Sequence, residues 1–267
     1  MAIFSKSKQK EEGLLETLKT VLWALVIAGL FRTLLFQPFW IPSGSMKDTL
    51  LIGDFLFVNK MAYGYSRHSC PFSMCPFSGR LLGSEPERGD VIVFRHPGNG
   101  QDFIKRVVGL PGETVQLKDG VLFIDGVAAP QEAVEPFAEI KEPQGPQGRL
   151  PACANEPVGL GGTCLKARFI ETLPNGLSHS ILDIRDNRSD PRADNTPLYT
   201  VPEGHYFFLG DNRDNSGDSR VQGGGGVGFV PYENLIGRAD RVIFSSAGSR
   251  MIYFWTWRLD RFFEEIV

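Results

Sequence analysis

The sequence predicts a mostly β protein: an all-β body with a smaller inserted β subdomain, one N-terminal transmembrane helix and a short C-terminal amphipathic helix. Three features predict it. An uncharged apolar run lies near the N-terminus, short alternating segments broken by Gly, Pro and Asp fill the body, and a helical stripe of apolar residues ends the chain. The formal net charge of −3 gives no strong attraction for nucleic acid, which argues against a nucleic-acid partner.

The N-terminal apolar run, residues 20–31, reads TVLWALVIAGLF and carries no charge. Its 12 residues would cover about 18 Å as a helix, less than the ~30 Å of a hydrocarbon core. The run extends over residues 14–36 if Lys19 and Arg32 reach opposite membrane interfaces. We therefore predict a transmembrane anchor at residues 14–36.

A cleaved signal peptide is the alternative for this run. Cleavage requires small residues in an A-x-A pattern after the apolar region, whereas the bulky stretch RTLLFQPFW follows here. An uncleaved anchor is therefore favoured. Lysines count more than acidic residues in setting orientation, so residues 1–13 are expected in the cytoplasm and the chain from about Gln37 onward outside.

The body of the chain consists of short predicted strands. The segments DFLFVNK, DVIVFRH, TVQLKDGVLFIDG and GHYFFLGD alternate or run apolar between turn residues. In the third of these, Asp119 and Gly120 supply the positive φ angles of a two-residue hairpin turn. Residues 130–202 are richer in Pro, Gly and charge, which predicts an inserted subdomain within a main body of residues 37–129 and 203–250.

Four cysteines form two local pairs, Cys70 with Cys75 and Cys153 with Cys164. Neither pair has a partnering His or a second C-x-x-C, so a zinc site is not expected. Local pairs are typical of small disulfide loops in an oxidising compartment, which agrees with a body outside the cytoplasm. Four free thiols are the alternative.

The last residues, 251–267, form a predicted amphipathic helix. Apolar residues recur there at spacings of three and four: Ile252, Trp255, Leu259, Phe262 and Ile266. The surplus of aromatic residues is typical of a helix at a membrane interface. A terminal helix packed on the β body has the same pattern, and pattern alone leaves both interpretations open.

Two serines separated by one glycine, Ser43 and Ser45, stand in PFWIPSGSMKDTL directly after the apolar run. A serine hydroxyl is a weak nucleophile until a base takes its proton. The four histidines occur in no familiar triad signature, and neither a G-x-S-x-G elbow nor an H-E-x-x-H metal motif is present. The remaining candidate base is a lysine whose pKa is lowered by burial in apolar surroundings.

Lys105 is the candidate for this base. It lies in DFIKRVVGLPGE, where alternation puts Phe103, Lys105 and Val107 on one face of a strand. A lysine on such a face is either buried or at a solvated edge of the sheet. Pattern alone makes the solvated edge the commoner case.

The segment GDNRDNSGDSR, residues 210–220, follows the apolar strand HYFFL and is dense in Asp, Asn and Ser. A calcium loop is one interpretation, but counting from Asn212 puts Gly223 at the twelfth place, where an EF-hand needs Glu. The other interpretation is a polar scaffold of hydrogen-bonded side chains around a catalytic centre.

Five segments in order, IPSGSM, LLIGDFLFVNK, RGDVIVF, KRVVGLPGE and GDNRDNSGDSR, resemble the successive sequence boxes of bacterial type I signal peptidases. Any one box is weak, but five in order over residues 36–237 are specific. The resemblance implies an all-β catalytic domain outside the membrane, a smaller inserted domain, and an N-terminal anchor in the bacterial plasma membrane. This chain is expected to have one such anchor, with its N-terminus in the cytoplasm.

The resemblance also implies roles for the motif residues. Ser45 is the expected nucleophile and Lys105 the expected general base of a Ser–Lys dyad. The Ser45 backbone N–H and the Ser43 hydroxyl are expected to hold the oxyanion, and Ser216 to orient the Lys105 amine. An ion-paired support for the loop is expected from three charged residues: Asp218, Arg106 and Arg220.

The expected substrates are the signal peptides of preproteins, which end in small residues at the first and third positions before the cut. Shallow pockets that exclude larger side chains are expected from five apolar residues: Phe39, Ile41, Leu50, Leu56 and Ile104. No cofactor and no metal is implied, and membrane lipid is the other expected partner. The chain departs from the family in having Asp48 where many members have Pro, and in the Cys70–Cys75 segment.

Two other functions compete with this one. A self-cleaving repressor also uses a Ser–Lys dyad, but it is cytosolic and DNA-binding, which the apolar N-terminal run and the paired cysteines oppose. A non-catalytic, membrane-anchored β-rich module that binds calcium or a partner protein would not need a neutral lysine. The substitution Lys105→Ala would leave such a module unaffected.

Overall fold

The computed structural model describes residues 2–70, 73, 75–185, 190, 193–223, 226–248 and 253–267. Helix α1 spans Ala2–Leu34, and the described residues form fourteen strands after it. These strands are β1 (Phe36–Trp40), β2 (Asp54–Asn59), β3 (Val91–Arg95), β4 (Asp102–Gly109), β5 (Thr114–Lys118), β6 (Val121–Ile124), β7 (Val127–Ala128), β8 (Gln131–Ile140), β9 (Thr163–Thr172), β10 (Ser178–Asp183), β11 (Tyr199–Thr200), β12 (His205–Leu209), β13 (Val230–Pro231) and β14 (Leu235–Ser245). The prediction of a mostly β protein is confirmed.

The strands form three sheets with antiparallel pairing. The largest has seven strands in the order β1-β2-β14-β3-β4-β12-β13. A four-stranded sheet has the order β11-β5-β6-β7, and a three-stranded sheet has the order β10-β9-β8. In the β5–β6 hairpin, Lys118 pairs with Val121, and the two turn residues Asp119 and Gly120 have φ angles of 48° and 78°. The predicted hairpin turn is therefore confirmed.

The core lies on both faces of strand β4, because its neighbouring residues point to opposite sides of the sheet. Val107 packs with Ile92, Phe94 and Phe208 on one face. Val108 packs on the other face against residues of β5, β6 and β12: Val115, Leu117, Leu122, Ile124, Phe207 and Leu209. Strand β4, which carries Lys105, is thus held rigidly between two apolar layers.

Helix α1 contains one segment long and apolar enough to cross a membrane, Leu15–Leu34, with a mean hydropathy of 1.5 and none of it buried. The predicted anchor reached residue 36, but the helix ends at Leu34. The reason is that Phe36 already belongs to β1, where it pairs with Asn59 of β2. The chain therefore enters the large sheet directly from the end of the apolar helix.

Both predicted disulfides are present. Cys70 is bonded to Cys75 and Cys153 to Cys164, and the described residues contain no free cysteine. The first bridge closes a loop between β2 and β3, and the second joins the start of β9 to the segment that precedes it. The alternative of four free thiols is wrong.

The predicted amphipathic helix over residues 251–267 is wrong for its described part, residues 253–267. That part forms two short 3₁₀ turns, Phe254–Thr256 and Leu259–Arg261. Its backbone instead bonds to β14, from Val242 N to the Glu264 carbonyl and from Ile266 N to the Asp240 carbonyl. Because these backbone bonds run along a strand, helical spacing of apolar residues does not produce a helix here. Two residues of the predicted helix, 251 and 252, lie outside the described residues.

Candidate active site

Ser45 lies in a tight turn between β1 and β2 that is fixed from two sides. Met46, the next residue, is fully buried in an apolar cluster. On the other side Asn212 N donates to the Ser45 carbonyl at 3.1 Å, and the Asn212 amide donates to the Gly44 carbonyl at 2.8 Å. The turn thus holds a short polar side chain, 8% exposed, against the 210–220 segment.

Lys105 reaches Ser45 from strand β4. Its Nζ lies 2.5 Å from Ser45 Oγ and 2.9 Å from the Ile104 carbonyl, and the residue is only 3% exposed. Burial lowers the pKa of Lys105 to about 8, while the carboxylates of Asp218 and Asp211 act in the opposite direction. Lys105 is therefore a buried lysine, and the solvated-edge interpretation is wrong. A neutral amine at this place can accept the proton of the Ser45 hydroxyl.

Ser43 and Ser216 occupy different positions relative to this pair. Ser43 is exposed, and its Oγ lies 3.4 Å from Ser45 Oγ. The Ser216 hydroxyl is buried and helps to keep the pKa of Asp218 low, but no hydrogen bond joins it to Lys105 among the described residues. Its predicted role in orienting the Lys105 amine stays a prediction.

Gly210 is the point where the 210–220 segment meets the serine turn. A Cβ added there would lie 2.2 Å from Ser216 Oγ and 2.6 Å from the Ser45 carbonyl oxygen. Since both distances are far below van der Waals contact, only glycine fits between them. This close approach is what places Ser216 next to the Ser45 backbone.

The predicted ion-paired support is present with different partners. Asp218 pairs with Arg220 at 2.9 Å, and both are buried. Arg106 does not pair with Asp218: its guanidinium binds Asp211 in a bidentate manner, at 2.9 Å from Nε and 2.8 Å from Nη2. The strand register explains this, because Arg106 lies opposite Leu209 of β12, two residues before Asp211.

Asp211 was not among the predicted site residues. It is 1% exposed, and although burial acts to raise its pKa, the adjoining Arg106 guanidinium holds the pKa below its ordinary value. It also accepts a hydrogen bond of 2.5 Å from the Thr49 hydroxyl, four residues after Ser45. The signal in the sequence was its place directly after a buried strand, at the head of a polar segment.

The predicted substrate residues surround the serine turn as part of the core. Ile41, Leu50 and Leu56 are at most 2% exposed and pack with Met46. Ile104 is half-buried and lies between this cluster and a second one that includes Phe39. Three of the five residues therefore lie beneath the surface, and Phe39 and Ile104 are the partly exposed ones.

Lys47 and Asp48, the second and third residues after Ser45, connect the turn to the three-stranded sheet. Lys47 Nζ donates to Glu139 of β8 at 2.5 Å, and Lys166 of β9 also pairs with Glu139. Asp48 accepts hydrogen bonds from Arg168 at 3.2 Å and Ser180 at 3.1 Å. Contacts with a separate sheet thus help to fix this turn.

Among the described residues, the hydrogen-bond neighbours of the Ser45 hydroxyl are few. The neighbours that the structure describes are Ser43 and Lys105, and neither is a histidine. The described part of the chain also holds no group of three or more His, Cys, Asp or Glu residues arranged to bind a metal ion.

Comparison with known proteins finds relatives over most of the chain. A sequence profile of the family described as signal peptidase, peptidase S26, matches residues 14–244. A signal peptidase I of Rickettsia canadensis is 42% identical over 234 residues, covering 85% of this chain and 79% of that protein. One of Rickettsia typhi is 40% identical over 231 residues, covering 84% and 78%.

A solved signal peptidase I structure from Enterococcus faecalis is 28% identical and matches 58% of this chain and 97% of that chain, with a TM-score of 0.29. The sequence matches alone cover most of the chain, from the apolar helix to the last strand of the large sheet. This chain therefore belongs to the signal peptidase family, peptidase S26.

Proposed function

We propose that this chain is a membrane-anchored serine endopeptidase that removes the N-terminal signal peptides of exported preproteins. Its family membership and its relatives named signal peptidase I support this function. The observation that carries the mechanism is the buried contact of 2.5 Å between Lys105 Nζ and Ser45 Oγ. The alternative, a non-catalytic membrane-anchored β-rich module, gives no reason to bury a lysine against a serine hydroxyl.

In the first half of the reaction, Ser45 Oγ attacks the scissile carbonyl carbon while its proton moves to the neutral Lys105 amine. The oxygen of the tetrahedral intermediate accepts hydrogen bonds from the Ser45 backbone N–H and the Ser43 hydroxyl. The C–N bond then breaks, and the Lys105 ammonium gives its proton to the departing amine of the mature protein. The signal peptide remains as an ester on Ser45.

In the second half, Lys105 is neutral again and takes a proton from a water molecule that attacks the ester carbon. The second tetrahedral intermediate collapses, the Ser45 oxygen leaves, and Lys105 returns the proton to it. The signal peptide departs with a free carboxylate. One water is consumed, and the dyad ends in its starting protonation state.

Lowering of the Lys105 pKa to about 8 suits this chemistry, because burial leaves a substantial fraction of the amine neutral near pH 7 to 8. The neighbouring charges are fixed in pairs. Arg106 is paired with Asp211, and Arg220 is paired with Asp218. Because each carboxylate is partly neutralised by its arginine, it stabilises the protonated Lys105 less than a free carboxylate would. Removal of either arginine is expected to raise the pKa of Lys105.

The preference for small residues before the cut follows from what lies under the serine turn. Ile41, Leu50 and Leu56 are already packed, so the space above them is shallow. Phe39 and Ile104, both half-buried, are the proposed walls that side chains of the substrate contact. A methyl group fits such a site, and a larger side chain would require the core to open.

The proposed location is the bacterial plasma membrane, with one anchor, the N-terminus in the cytoplasm and the body outside. The apolar segment Leu15–Leu34 supports the anchor, the lysines of residues 1–13 support the orientation, and the two disulfides support an oxidising compartment. The serine turn begins within ten residues of the end of α1, so a cleavage site emerging from the membrane would be close to it.

We also propose a division of the body into a catalytic domain, residues 37–129 and 203–250, and an inserted subdomain, residues 130–202. The three-stranded sheet β10-β9-β8 and the Cys153–Cys164 bridge lie within the inserted range, which supports the division. The last residues of the inserted range form β11, which pairs with β5 of the main body in the four-stranded sheet.

The test is cleavage of a preprotein by the purified full chain in detergent, with the new N-terminus read by mass spectrometry. We expect one cut after an A-x-A sequence, no product with Ser45→Ala, and wild-type product with Ser84→Ala, an exposed serine. Replacing alanine before the cut by leucine should abolish the product. No cleavage by the wild-type chain would favour the non-catalytic module, and cleavage by Ser45→Ala would refute the mechanism.

A further inference from the structure

A cleft of about 980 Å³ lies on the large sheet beside the end of helix α1. Its walls come from the last turn of α1, from β1, from the Cys70–Cys75 loop and from the β3–β4 turn. It does not include Ser45 or Lys105. It is therefore a separate site, placed where the chain leaves the apolar segment.

The lining of this cleft carries more positive than negative charge. Three arginines line it, Arg32, Arg67 and Arg95, against two carboxylates, Asp102 and Glu233. Arg95 is paired with Asp102 at 3.2 Å. Arg32 and Arg67 have no carboxylate within ion-pair distance among the described residues, although Glu233 also lines the cleft and faces His68.

A further cation, Lys60, interacts with two residues of the cleft lining: Arg32, and Asp102, which acts to raise its pKa. Lys60 is 1% exposed, and its Nζ donates to the Ser69 carbonyl at 2.6 Å rather than to a carboxylate. Burial, and then the Arg32 guanidinium, lower its pKa to about 8. An anion bound in the cleft would relieve this repulsion between Lys60 and Arg32.

Two donors in the lining also have no acceptor. His96 is 1% exposed, and its Nδ1 accepts hydrogen bonds from the backbone N–H groups of Gly98 and Asn99. The ring proton must therefore be on Nε2, which is buried and has no partner among the described residues. Arg95 Nε is also buried without a partner in the described part of the chain. Buried donors normally find acceptors, so this edge of the sheet is short of acceptor atoms.

The position of the cleft indicates where an anion would come from. Arg32 belongs to the last turn of α1, so it lies at the level of the lipid head groups if Leu15–Leu34 spans the bilayer. Arg67 and His68 lie just before the Cys70–Cys75 bridge and line the same cleft. Arginine is well suited to phosphate because its planar fork of donors matches the oxygens.

We propose that this cleft binds the phosphate head group of an anionic membrane lipid, with Arg32 and Arg67 as its free cationic ligands. The bound lipid fixes the height of the β body relative to the bilayer, and the Cys70–Cys75 bridge anchors Cys70, which lines one wall of the site. This site acts independently of the peptide bond chemistry at Ser45.

The test is lipid binding by the purified full chain in neutral detergent, measured by native mass spectrometry with phosphatidylglycerol and phosphatidylcholine as probes. We expect the wild-type chain to bind phosphatidylglycerol about tenfold more tightly than phosphatidylcholine, since both lipids carry the phosphate but only phosphatidylcholine adds a choline cation that Arg32 and Arg67 repel. Arg67→Glu should remove this preference. Arg149→Glu makes the same change of charge at an exposed arginine outside the cleft and should keep it.

Several results would overturn the proposal. One is equal binding of the two lipids by the wild type, and another is an equal loss of the phosphatidylglycerol preference in Arg67→Glu and Arg149→Glu. A third is full displacement of phosphatidylglycerol by inorganic phosphate at the same concentration, which would indicate a site for soluble anions. The thermal unfolding midpoint of Arg67→Glu should match the wild type, because this side chain is exposed. Binding is read without any cleavage, so a failure here is distinct from a failure of the proposed peptidase reaction.

Discussion

Replacing Lys105 by methionine should abolish cleavage and, at neutral pH, stabilise the fold. Burial shifts the pKa of Lys105 from 10.5 to about 8. One pKa unit corresponds to about 1.4 kcal/mol, so holding this lysine protonated in the folded state costs roughly 3 kcal/mol. The methionine has similar length and no charge, and it removes this cost.

The gain depends on pH with a definite sign. Below pH 8 the lysine is protonated in both the folded and the unfolded chain, so the full cost is present. As the pH rises from 8 to 10.5, the folded state releases its proton first, and the cost disappears. Loss of the hydrogen bonds to Ser45 and to the Ile104 carbonyl returns about 1 kcal/mol each, which leaves a net gain of about 1 kcal/mol at pH 7.

The assay is denaturant unfolding of the full chain in detergent, followed by tryptophan fluorescence at pH 7 and at pH 10.5. Lys118→Met, at an exposed lysine of β5, is the matched control and should change the free energy of unfolding little at either pH. A loss of stability in Lys105→Met at pH 7, or a gain that is the same at both pH values, would refute the assignment of Lys105 as a buried amine with a lowered pKa.

Three further predictions concern other parts of the structure. Gly210→Ala should lower kcat/KM about 100-fold or more, because its Cβ would lie 2.6 Å from the Ser45 carbonyl oxygen. Gly217→Ala is the control: its Cβ meets nothing within 4 Å, so it should retain activity. Wild-type rates in Gly210→Ala would contradict the close approach. Asp211→Asn should destabilise the chain by about 3 to 5 kcal/mol in the same unfolding assay, since it leaves the Arg106 guanidinium buried without a counter-charge; a change below 1 kcal/mol would show that the pair is dispensable. Residues 37–267 alone should bind lipid vesicles through exposed aromatic residues. In a flotation assay, Trp255→Ser should weaken that binding about tenfold, because this side chain is 67% exposed. Leu160→Ser, at a side chain 73% exposed in the inserted range, should not weaken it.

Strand patterning predicted much of the body and the central pair of the site. Alternation put Lys105 on an apolar face of a strand, and the structure buries it there. What alternation could not decide was whether that face is covered, because burial depends on which strands pair with β4. Of the two strands that flank β4, β3 is close to it in the chain, whereas β12 follows only after β5 to β11.

The charge pairing of the 210–220 segment was only partly predictable. Asp211, Asp214 and Asp218 stand close together in the sequence, so each was a possible partner for Arg106. The register of β12 on β4 selects Asp211, and a register is not visible in the composition of a loop. The contact of Lys47 with Glu139 was invisible for a similar reason, since 92 positions separate the two residues.

The C-terminal stretch shows where periodicity misleads. Spacings of three and four predicted a helix, but Arg258 and Arg261 instead reach the buried carboxylate of Asp54 on β2. These ion pairs, with backbone bonds to β14, hold the segment and its two 3₁₀ turns against the sheet. Trp255 and Leu259 remain exposed, while Ile266 packs beside the core cluster under the serine turn.

The pH dependence of preprotein cleavage tests most directly the claim that neutral Lys105 takes the proton of Ser45. With a Lys105 pKa of about 8, kcat/KM should follow a single ionisation with a midpoint near that value. It should rise roughly fiftyfold between about pH 6 and pH 8, because the neutral fraction rises from ~1% to ~50%. Lys105→Arg should be inactive throughout, since a guanidinium stays charged. A rate independent of pH over this range, or an active Lys105→Arg variant, would contradict the claim.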